Sequence, residues 1–70
     1  MNIRKVIVKR GSELFVKNDG TFTADFLEAF QFSNRQAAIE FCQKHNLQEV
    51  DFLLRGDDGA ADDLRTPLSS

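Results

Sequence analysis

Apolar and polar positions alternate over short stretches of this chain, and turn-forming residues separate the stretches. Ile3 to Lys9 is rich in β-branched residues and ends before Gly11, which predicts a strand. Val6 and Val8 share one face of it, Ile3 and Ile7 the other. Apolar residues on both faces suit a central strand, or a sheet covered on both sides. After the Arg10-Gly11-Ser12 turn, Glu13 to Lys17 predicts a second strand, with Leu14 and Val16 on one face and Phe15 on the other. Asn18-Asp19-Gly20 is a hairpin signal, because Asp and Gly tolerate the backbone angles of tight turns. Thr21 to Thr23 is a brief return. Beyond it two periods compete. Phe26, Leu27 and Phe30 fit one helical turn, whereas Phe26, Glu28, Phe30 and Phe32 fit a strand. The preferred reading is a turn at Ala24–Leu27 followed by a strand from Glu28 to Phe32.

Ser33 then predicts a helix start, with Gln36 completing a capping box and Phe32 and Ala37 forming a hydrophobic staple. At about 100° per residue, Ala37, Ala38, Phe41, Cys42 and His45 fall on one face and Ile39 off it. Asn46 suits a left-handed helix end, with Leu47 packing back on Cys42. Gln48 to Arg55 predicts a last strand, with Val50, Phe52 and Leu54 on one side. From Gly56 to Ser70 the composition turns to Gly, Asp, Pro and Ser, with Leu64 and Leu68 the only sizeable apolar residues. Such a stretch buries too little to order itself, so residues 1–55 are expected to form the domain and 56–70 a disordered acidic tail.

The predicted fold is α+β: a small antiparallel sheet, β-β-β-α-β, with one amphipathic helix packed on one face. That face is expected to carry Val6, Val8, Leu14, Val16, Phe30 and Phe32, with Val50, Phe52 and Leu54 from the last strand. Strand parity then leaves Ile3, Ile7, Phe15 and Leu53 on the uncovered face. The run Glu13-Leu14-Phe15-Val16, the turn Asp19-Gly20-Thr21, Ala29 to Phe32-Ser33, and Ala38 to Phe41 resemble many small bacterial and phage proteins of unknown function. These share a hairpin, an alanine and an aromatic before a serine, and an alanine-bearing helix. The resemblance implies an α+β fold and no particular activity.

Seventy residues support one small core, and the usual staples of small domains are missing. Cys42 is the single cysteine and His45 the single histidine, so neither an internal disulfide nor a Cys/His zinc site can form. Seven phenylalanines supply dense apolar packing instead. The longest apolar run near the start, Val6-Ile7-Val8, is too short for a signal peptide or a membrane span, and a lone cysteine agrees with a reducing compartment. A cytoplasmic location is therefore expected. Charge is unevenly spread. Arg4, Lys5, Lys9, Arg10 and Lys17 face Glu13 alone in residues 1–17, while Asp57, Asp58, Asp62 and Asp63 outweigh Arg65 in the last fifteen.

The candidates for chemistry are few. Cys42 and His45, three apart on one helix, have the spacing of an activated thiolate, but nothing supplies an orienting third residue or an oxyanion hole. A core thiol and a helix-capping histidine is the plainer reading. The aspartate run lacks the alternate ligand positions of a calcium loop and reads as solvated charge. No catalytic, cofactor-binding or metal-binding residue is assigned. The leading expectation is a non-enzymatic protein-interaction module, binding a protein partner or a second copy of itself. Ile7, Phe15 and Leu53 would form the interface, with Arg4, Lys9 and Arg10 as its rim. The alternative is a nucleic-acid-binding accessory protein using the basic hairpin. No cofactor, membrane or small-molecule substrate is expected.

Overall fold

The computed structural model describes residues 3–56 and 64–68. The described residues fold as a five-stranded antiparallel sheet with one helix, an α+β arrangement. Strand β1 (Ile3–Lys9) is followed by β2 (Phe15–Val16) and β3 (Phe22–Thr23). A single 3-10 turn (Phe26–Glu28) leads to helix α1 (Arg35–His45), then β4 (Val50–Gly56) and β5 (Leu64–Pro67). The spatial order is β3-β2-β1-β4-β5. The central pair is β1 and β4, in register from Ile3 opposite Gly56 to Lys9 opposite Val50. Val6-Ile7-Val8 in β1 and Phe52-Leu53-Leu54 in β4 are apolar at consecutive positions because the sheet is covered on both faces.

The helix packs Ala38 and Cys42, with Ala37 and Phe41 beside them, onto Ile7, Val16, Val50 and Phe52. The other face holds a second core of Val6, Val8, Phe15, Leu53 and Ala29, with Phe26 packed against it. The expected parity of β2 and β4 is observed, and that of β1 is reversed. Ile7 lies under the helix, and Val6 and Val8 lie opposite. Register decides this: Ile7 is paired with Phe52, and paired residues of antiparallel strands point the same way.

The stretch from Glu28 to Phe32 is not a strand, although Phe30 and Phe32 do make strand-like bonds. Phe30 N–H donates to the Val16 carbonyl at 3.0 Å, and Phe32 N–H to the Lys5 carbonyl at 2.8 Å. β1 and β2 pair only at Val8 and Phe15. Residues 30–32 occupy the seam where the two strands part. Ala29 belongs to one core and Phe32 to the other, so the chain passes between the faces of the sheet at this point. The crossover before it covers the face that was expected to stay open.

The helix begins one residue later than its capping box predicts. Asn34, in extended backbone, accepts from Ala37 N–H at 2.8 Å. Either Ser33 or Asn34 is a good cap, and only Asn34 is placed to reach Ala37. The other end is as read. Asn46 is left-handed at φ 55°, its N–H donates to the carbonyls of Cys42 and Gln43, and Leu47 N–H donates to Cys42 at 2.9 Å. Asn46→Ala is expected to lower stability by about 1 kcal/mol, since alanine lacks the local hydrogen bonding that eases this conformation. Asn46→Gly is expected to be neutral or slightly stabilising. Urea denaturation followed by far-ultraviolet circular dichroism checks both.

Leu64–Pro67, expected to lie in a disordered tail, is instead the edge strand β5, paired with Asp51–Leu54 of β4. Gly56 closes β4. Residues 57–63 and 69–70 of the expected tail, and its aspartate run, lie outside the described residues.

Candidate functional site

The six residues expected to form an interface are not presented together. Ile7 and Leu53 have no exposed surface, and Phe15 retains 2%. Ile7 sits in the helix-side core, and Phe15 and Leu53 in the other. Of the expected rim, Arg4 and Arg10 share the parity of Val6 and Val8, whereas Lys9 shares that of Ile7. The basic hairpin therefore divides its cations between two faces.

The face away from the helix is roofed by arginines. Arg55 from β4 and Arg65 from β5 both reach Glu13, at 3.4 and 3.1 Å. The Arg10 guanidinium donates to Asp51 at 3.1 Å, and Asp51 is a buried carboxylate of the described residues. Arg4 and Arg55 lie 5.9 and 5.0 Å from the centre of the Phe26 ring, which meets Phe15 edge-on at 5.4 Å. Guanidinium groups stack on aromatic faces while keeping their hydrogen-bonding edge free, so they can cover an apolar core and remain hydrated. Charge and composition alone did not reveal this role for Arg55 and Arg65.

The crossover that completes the roof is built to hold its shape. Asp25 caps the 3-10 turn by accepting from Leu27 N–H at 3.0 Å, and its own N–H donates to the Thr23 hydroxyl at 3.1 Å. Phe26 and Ala29 point into the core. Leu27, between these anchors, is 63% exposed, and Phe30 is 41% exposed. Together with Arg4, Asn18, Glu28 and Gln31 they line an open groove of about 470 Å³. Leu27 is held outward beside polar neighbours, while Phe30 packs against the rings of Phe32 and Phe41, at 5.0 and 6.0 Å between centres, and keeps its outer side exposed; the expected interface included neither.

The residues with chemical potential are quiet. Cys42 is buried, and burial pushes its thiol up, away from the thiolate form. The His45 ring packs on Phe41 at 4.3 Å between ring centres, tilted by 35°, and lies against the Gly20 turn. In that turn the Thr21 hydroxyl and N–H both donate to Asp19 and hold its carboxyl below the usual range. Among the described residues, no three His, Cys, Asp or Glu side chains gather where they could hold a metal ion. No described helix is long and apolar enough to cross a membrane. No family model, curated protein or solved structure matches this chain.

Proposed function

We infer that this chain is a small, non-enzymatic protein-interaction module of the cytoplasm, and that its contact surface is the crossover carrying Leu27 and Phe30. The observation behind this reading is the exposure of Leu27 on a turn that Asp25 caps and that Phe26 and Ala29 anchor in the core. An apolar side chain held outward by a rigid frame loses little conformational freedom on binding. Aromatic and aliphatic anchors with a polar and arginine rim are the usual energetic centre of a protein contact.

The test places a photo-crosslinking amino acid at Leu27, and separately at Glu40 on the exposed side of α1, in cells producing the protein. Discrete adducts are expected from position 27 and none from position 40. Leu27→Asp is expected to weaken the contact by roughly thirtyfold or more, the scale of an interface hot spot. It should move the unfolding midpoint little, because the site is exposed. Equal crosslinking at both positions, or none, would overturn the reading. The second reading, nucleic-acid binding, rests on the four arginines of the face away from the helix. Binding to DNA or RNA that weakens steeply with salt and survives Leu27→Asp would favour it.

A further inference from the structure

The outer edge of β4 is occupied by residues 64–68, and the contacts they make are those of a bound peptide. Four residues pair with Asp51–Leu54, and Leu68 N–H donates to the Val50 carbonyl at 3.1 Å. From the helix, Arg35 donates to the Thr66 hydroxyl at 2.6 Å and to the Pro67 carbonyl. From the opposite face, Glu13 accepts from Arg65. Leu68 packs against the helix-side core and forms part of the wall of a cavity of about 610 Å³, lined also by Ile39, Cys42, Gln43 and Leu47. Leu64, by contrast, is 56% exposed. Main-chain pairing to a sheet edge gives such a site affinity, and the side-chain contacts at intervals give it selectivity.

We propose that the groove between α1 and the edge of β4 is a peptide-binding site that residues 64–68 fill as a tethered stand-in. Its external ligand is an extended protein segment with a basic residue opposite Glu13 and a large aliphatic residue three positions later, the pattern of Arg65 and Leu68. This surface is separate from the Leu27 crossover, so either assignment can fail without the other. Residues 64–68 belong to the same chain as the groove and meet it at an effective concentration of about millimolar. An outside segment must therefore outcompete the tethered one, or meet a chain in which it is weakened.

The probe is a labelled synthetic peptide with the sequence of residues 62–70, titrated into the full chain and followed by amide chemical shifts. The unaltered chain is expected to show no saturable binding below about millimolar peptide. Leu68→Asp in the full chain, which weakens the tethered strand where it packs against the helix-side core, is expected to improve binding at least tenfold, with shifts confined to β4 and α1. A peptide carrying Arg65→Glu should bind that chain a few-fold more weakly, the scale of an exposed ion pair, and regain the loss when Glu13→Arg is added. A folded Leu68→Asp chain that ignores the peptide would overturn the proposal, as would equal binding of the charge-reversed peptide. Arg65→Glu in the full chain weakens the tethered strand from its exposed side and serves as the second variant. Loss of the fold with both substitutions would show that β5 is integral to the core, and would also overturn it.

Discussion

Phe15→Asp is expected to unfold the domain. Phe15 touches the core of Val6, Val8, Ala29 and Leu53, meets Phe26 edge-on, and lies under Arg55 at 5.7 Å. Truncating a buried phenylalanine costs about 3–5 kcal/mol, and a carboxylate left in its place adds a desolvation penalty. A single core of this size supplies about 3–5 kcal/mol of net stability. The cost therefore meets or exceeds the whole. The variant should show no cooperative urea transition by far-ultraviolet circular dichroism at 25 °C, which is the suitable probe in a chain with neither tryptophan nor tyrosine. Phe15→Leu should stay folded. A folded Phe15→Asp chain with altered association only would restore the interface first expected from strand parity, and would contradict the buried position found for this ring.

The second large effect is expected at Gly20. Its φ is +90°, and a Cβ there would lie 2.7 Å from Nδ1 of His45. A side chain in this region costs about 1–2 kcal/mol in backbone strain alone. Displacing the imidazole would also loosen its tilted contact with the Phe41 ring, a further ~1 kcal/mol. Gly20→Ala should therefore lose about 2–3 kcal/mol. The two parts separate in a double-mutant cycle. With His45→Ala as background, Gly20→Ala should cost only the backbone part. An unchanged cost in that background would mean that the ring moves aside freely.

These two positions show what could be read from the chain. Gly20 was legible, because Asp-Gly after a short alternating run has one good use, and the turn is where that pattern puts it. The helix was legible for the same reason: its apolar spacing and its Asn46 terminus agree. The parity of β1 was not. Val6, Ile7 and Val8 are all apolar, so a period of two carries no information there, and only the pairing of Ile7 with Phe52 fixes the faces. The interface assignment inherited that ambiguity. It also assumed that nothing covers the second face, whereas Phe26, Ala29 and the arginines do. Leu64–Pro67 escaped notice because composition reports whether a segment can fold alone. It says little about whether the segment can add to an edge already formed. Leu27 carries no sequence signal distinguishing it from Phe26. Their fates differ because one turn of 3-10 helix points them apart.

The centre of the sheet joins the first strand of the chain to one near its end, with β1 at residues 3–9 and β4 at residues 50–56. Topologies dominated by such distant pairing fold slowly, because the ends of a long loop must meet before the contacts reward it. During synthesis, at roughly 5–20 residues per second, Val6-Ile7-Val8 must wait some seconds for its main partner. A short β-branched segment waiting unpaired is a hazard for aggregation, and flanking charges are the common safeguard. Arg4 and Lys5 on one side and Lys9 and Arg10 on the other stand where such gatekeepers are needed. The basic character of the first strand thus has a use before the fold exists, in keeping the newly made chain soluble until β4 arrives.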